Sequence, residues 1–91
     1  MEQQINIKAD DNTLKGVYSN NLVIQHSKEE FILDFLNTFP PQGSLVARII
    51  TSPGHMKRIV RALEENLKNY EKNFGKIEEA KAPDRSIGFK A

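Results

Sequence analysis

The sequence predicts an α+β domain: an antiparallel meander sheet of three or four strands, with one long C-terminal helix packed on one face. Three observations carry this. Strand-length apolar runs lie on either side of a tight turn signal, in "EFILDFLNTF", "PPQG" and "SLVARIIT". Upstream, "GVYSNNLVIQH" alternates apolar and polar residues with a period of two. Downstream, "TSPGHMKRIVRALEENLKNYEKNFG" places its apolar residues at helical spacing.

Taken in order, "QINIKA" is a first strand candidate, with Ile5 and Ile7 alternating against polar neighbours. "DDNTLKG" supplies the residues of a turn or a short helical loop. In the next strand Tyr18, Leu22 and Ile24 share one face, with Asn20 between them, and Val17 and Val23 share the other. "SKEE" turns the chain. In the following strand Phe31, Leu33 and Phe35 oppose Ile32, Asp34 and Leu36. Pro41 presets φ for a hairpin turn and Gly43 is suited to its left-handed position. The last strand sets Leu45, Ala47 and Ile49 against Val46, Arg48 and Ile50.

The helix has legible ends. Ser52 is an N-cap residue, Pro53 sits where a missing N–H costs nothing, and Gly75 falls at the C-terminal stop. Between them Met56, Val60, Leu63, Leu67, Tyr70 and Phe74 are spaced alternately four and three apart, and Ile59 widens the stripe. Residues 1–4 read as a flexible N-terminus, 5–75 as one domain and 76–91 as a disordered tail, within which Ile87 and Phe89 are apolar enough to dock.

A chain of 91 residues without cysteine has room for one core and no disulfide to support it. One helix covers one face of a small sheet, whereas the two central strands are apolar on both. The second face therefore predicts a homodimer or higher homo-oligomer, with Val23, Ile32, Asp34, Leu36, Val46, Arg48 and Ile50 at the contact. The helical seam allows a competing helix–helix dimer, although fewer than three heptads is short for an independent coiled coil. Asp34 and Arg48 interrupt apolar strand faces. With an odd number of residues in the turn they share a face and can pair; with an even number they do not. Both reaching solvent at a strand edge is the plainer alternative.

Chemistry is sparse. Ser52 and His55 are three apart, but capping explains the serine and no third group orients the histidine. His26 reads as structural or solvated, and Asp10 and Asp11 as turn residues. No catalytic, metal-binding or cofactor-binding residue is expected, and the protein is read as a non-enzyme. His55, Lys57, Arg58 and Arg61 form a basic run at the helix start, a candidate anion- or nucleic-acid-binding surface, or else simply a solvated outer face. The function expected is that of a non-enzymatic, homo-oligomeric protein-interaction module, with which an unidentified protein partner is compatible. With no membrane-length apolar run and no signal-like block at the start, the expected setting is cytoplasmic.

The order of motifs is itself distinctive. "GVYSNNLVIQHSKEEFILDF" followed by "ARIITSPGHMKRIVRALEENLKNYEKNFGKI" resembles the bacterial family known as domain of unknown function 3467, over roughly residues 5 to 78. The shared features are the Gly16-Val17-Tyr18 strand, the strand carrying Asp34-Phe35, and the helix capped by Ser52-Pro53. That helix closes with Tyr70-Glu71 and Phe74-Gly75. Gly54 stands where the family pattern has an acidic residue. The resemblance implies the fold and a bacterial cytoplasmic protein, and brings no catalytic residues with it. Fold-level analogy alone also suggests a SecB-like holdase chaperone.

Overall fold

The computed structural model describes residues 3–81 and 87–89. Its elements run α1 (Asp11–Lys15), β1 (Asn21–His26), β2 (Phe31–Phe39), β3 (Gln42–Thr51) and α2 (Pro53–Phe74). The strands form one antiparallel sheet in the order β1-β2-β3. The α+β meander with a long C-terminal helix is therefore the architecture. The expectations for the extreme N-terminus and the tail fall partly on residues 1–2, 82–86 and 90–91, outside the described residues.

The possible fourth strand is not formed. Residues 3–10 have no regular structure, and Ile5 and Ile7 are exposed. Two isoleucines among polar neighbours offer too little apolar area to offset the entropy of ordering a further edge strand. The next segment is a short helix. Asp10 caps α1 by accepting a 2.7 Å bond from the Thr13 N–H, and hydrogen bonding from the Thr13 side chain and then its backbone holds the Asp10 carboxyl below the usual range. Gly16 ends the helix at φ 77°, where a side chain would be strained.

β1 starts at Asn21 rather than at Val17. Beside it the ladder with β2 continues through side chains. The Asn20 N–H donates to the Leu36 carbonyl, while the Asn20 carboxamide accepts from the Thr38 N–H (2.8 Å) and donates to the Thr38 carbonyl (3.0 Å). The side-chain amide thus pairs with Thr38 as a strand backbone would. Ser19 Oγ also donates to the Leu36 carbonyl at 2.9 Å.

The β2–β3 loop is Pro40-Pro41, joined by a cis peptide, and Phe39 faces Gln42 across it. Gly43 lies inside β3 and keeps a negative φ, because the two prolines form the whole loop and leave no left-handed position for it. Further from the turn the register shifts. Leu36 pairs with Leu45 but Phe35 pairs with Ala47, so Val46 is an extra residue in β3, a bulge. Leu45 consequently lies opposite Leu36 instead of continuing the Ala47 and Ile49 face.

α2 has the ends that the sequence predicts. Ser52 Oγ accepts from the His55 N–H at 3.1 Å, and the Gly75 N–H, at φ 94°, donates to the Glu71 carbonyl. Its packing departs from expectation. Met56 and Ile59 in the first two turns are half-buried, and no residue of the helix is fully buried. From Val60 to Phe74 the seam is open to solvent. The helix follows β3 directly, is half-buried only at Met56 and Ile59, and does not cover the sheet along its length. Ser52 alone separates it from β3, which fixes where α2 begins without turning its far end inward.

Candidate interaction surface

Among the described residues, β2 gathers the buried ones: Leu33, Asp34 and Leu36. The only charge among them is the most enclosed, with Asp34 1% exposed. A carboxylate in that position needs a partner. It has one directly across the ladder, where Arg48 Nε donates to Oδ1 at 2.7 Å and Nη2 to Oδ2 at 2.9 Å. This fork-to-fork geometry uses both carboxylate oxygens. The hydrogen bonds from Arg48, reinforced by its charge, hold the Asp34 carboxyl below the usual range against the opposing effect of burial, and raise the Arg48 value in turn.

The pairing depends on the bulge. Two residues separate β2 from β3, and an even loop in a regular hairpin would set Asp34 and Arg48 on opposite faces. Val46 adds the one residue that brings them into register. Arg48 remains about half exposed, and the Phe89 ring centroid lies 5.8 Å from its guanidinium carbon. That separation suits a cation–π contact, so the C-terminal tail does dock at one point.

The register also settles which candidate contact residues share a face. Val23, Asp34 and Arg48 form one row across the three strands, Ile32 and Ile50 lie in the next row, and Leu36 follows on the other side. Val46, as the bulge residue, has no counterpart on β2. This face is less open than its composition suggests. Asp34 and Leu36 are buried within one chain, Val23, Ile32 and Val46 are half-buried, and Arg48 and Ile50 are exposed. On the opposite face Leu22, Ile24 and Ile49 are exposed around buried Leu33.

A further open apolar surface runs along α2. Val60, Leu63, Leu67, Tyr70 and Phe74 all lie along its seam and are exposed, with the Tyr70 and Phe74 ring centroids 5.1 Å apart and the rings tilted by 48°. The family model described as "Protein of unknown function (DUF3467)" matches residues 1–79, from the N-terminal segment through the whole of this helix. The chain belongs to the DUF3467 family. No curated protein and no solved structure matches it.

Phe89 lies beyond the span that defines the DUF3467 match, whereas Asp34, Arg48 and the seam lie inside it. The remaining sequence-predicted residues of this DUF3467 chain are placed as follows. His55, Lys57, Arg58 and Arg61 are all exposed on the first turns of α2. Ser52 Oγ accepts from the backbone N–H of His55 as the helix cap. His26 packs against Phe31 with ring centroids 5.3 Å apart. Among the described residues no group of three or more His, Asp or Glu side chains is arranged to hold a metal ion, and no helix is long and apolar enough to cross a membrane.

Sequence reading missed the Asn20–Thr38 clamp. Its signal was a polar residue interrupting an otherwise alternating strand, which marks a side chain replacing backbone pairing.

Proposed function

We propose that this protein is a non-catalytic, self-associating interaction module that works as a homodimer or higher homo-oligomer. The observation that supports the reading is area. The chain exposes 8856 Å² of solvent-accessible surface. A compact folded chain of its mass, 10.4 kDa, exposes about 5,400 Å². Its radius of gyration, 16.2 Å, likewise exceeds the roughly 12 Å of a compact domain of this length. The extended, exposed segments at residues 3–10 and 76–81 account for part of the excess. The seam of α2 and the apolar margins of the sheet contribute the part that water disfavours.

Obligate homodimer interfaces bury about 2,000–5,000 Å² in total, half from each chain, and the part of the roughly 3,400 Å² excess that lies on α2 and the sheet margins contributes toward one chain's half. At roughly 25 cal/mol per Å² of apolar surface, covering even part of it is a substantial gain for a domain of marginal stability. Sedimentation equilibrium across the micromolar range tests the reading. The expected mass is that of a dimer or a larger closed assembly; a monomer mass at every concentration removes it.

A further inference from the structure

We infer, building on that self-association, that the second copy docks through α2 itself, seam against seam and antiparallel, about a two-fold axis at the level of Glu65. The seam is open, and its spacing is symmetric. From Met56 to Phe74 the apolar residues follow gaps of four, three, four, three and four, which read the same from either end. Reversing one helix against its copy therefore keeps every layer in register. Met56 meets Phe74 of the second copy, Val60 meets Tyr70, and Leu63 meets Leu67. Each outer layer joins a large aromatic to a smaller side chain, and the central layer joins two leucines. A parallel pair would instead stack Phe74 on Phe74 at one end and Val60 on Val60 near the other, crowding one layer and underfilling another.

Charge favours the same direction. The first half of the helix carries Lys57, Arg58 and Arg61 with no acidic residue, while the second half carries Glu64, Glu65 and Glu71 against Lys68 and Lys72. Antiparallel pairing lays the basic half beside the acidic one and brings Lys57 near Glu71 of the second copy. It also opposes the two helix dipoles, whereas a parallel pair aligns them and sets three cations against their own copies. The seam is short for an isolated coiled coil, but it does not have to nucleate alone. Met56 and Ile59 are already half-buried, and Ser52 ties the helix directly to β3. The isologous contact closes the assembly at two chains.

The absence of native cysteine makes site-specific labelling straightforward. Spin labels at Glu64→Cys should lie close to their twins, within about 3 Å along the axis. Labels at Lys57→Cys should be separated by about 24 Å along the axis, and a mixed dimer of Lys57→Cys with Glu71→Cys should return to a short distance. Short distances between twins at both positions overturn the antiparallel arrangement in favour of a parallel one. Long distances at both positions in an intact dimer place the contact elsewhere and overturn the helix pairing, while leaving self-association standing. Leu63→Asp combined with Leu67→Asp should raise the dimer dissociation constant at least about 100-fold. The sheet's unfolding in dilute solution should change little, since both leucines are exposed there. An unchanged dissociation constant overturns the inference. A wild-type chain that is monomeric throughout removes the self-association reading, and this inference with it.

Discussion

β2 and α2 are both amphipathic, and they end in opposite states. β2 has nine residues, three of them buried, including a charge; α2 has 22 and none. The difference is one of neighbours rather than composition. Short loops, Ser27–Glu30 on one side and Pro40-Pro41 on the other, deliver a strand to each edge of β2. α2 is tied to the sheet at one end only, and its apolar side chains beyond Ile59 find nothing among the described residues to cover them. Amphipathic patterning specifies which side chains need burial, and connectivity decides whether the chain can bury them itself.

Paired truncations test that contrast, and they carry the largest expected effect. Leu36→Ala removes a side chain that is 3% exposed and should lower stability by about 2–5 kcal/mol in urea unfolding. Leu63→Ala removes one that is 59% exposed. At concentrations where the chain is monomeric it should cost no more than about 0.5 kcal/mol. The cost of Leu63→Ala should then grow with protein concentration, while that of Leu36→Ala is present at every concentration. Equal costs for the two leucines in dilute solution would contradict the open seam.

A second test concerns the charge on β2. The Asp34 carboxyl titrates below its ordinary value in the folded state, so its pairing with Arg48 contributes fully above about pH 4, the unfolded range for aspartate. That contribution is lost as pH falls through the depressed folded value. Asp34→Asn keeps the shape but leaves Arg48 without a carboxylate. It should lower the urea midpoint at neutral pH and flatten the decline in stability below about pH 4. No charged pair exists on α2 to give a matching effect among the described residues. An acid limb equally steep in wild type and Asp34→Asn would show that other carboxylates dominate it.

Features that depend on a few adjacent residues were legible in the sequence. Ser52-Pro53 and Gly75 fix both ends of α2, the proline pair fixes the hairpin, and "DDNTLKG" signals α1. Features that depend on distant partners were not. Nothing within "SLVARIIT" marks Val46 as a bulge, since its consequence involves Asp34, 14 positions before Arg48, which the bulge brings onto the same face as Arg48. The alternation of Ile5 and Ile7 resembled a strand because periodicity carries no information about whether an edge is available. That Ile32, Asp34 and Leu36 share one face of β2 was readable from parity alone, but that Arg48 and Ile50 join them was not, because it depends on the bulge at Val46. How far each is buried was not readable either, because that depends on segments such as the tail bearing Phe89.

The smallest expected effect separates a helix supported by packing from one supported by its own backbone. The Ser52 side chain satisfies one of the free N–H groups at the start of α2 by accepting from His55, and Ser52→Ala should cost about 1 kcal/mol. Where the helix packs only at its first turns, this loss appears mainly as fraying. In dilute solution helical circular dichroism should fall while the unfolding midpoint of the sheet, followed by near-UV signals of its aromatic residues, moves little. Assembly changes the outcome, because a helix gripped along its seam cannot fray independently of its partner. The same substitution at high concentration should then leave the helical signal intact and appear instead as a weaker dimer. A helical signal equally insensitive to Ser52→Ala at both concentrations would mean that α2 is already supported along its length within one chain, and the contrast with β2 would disappear.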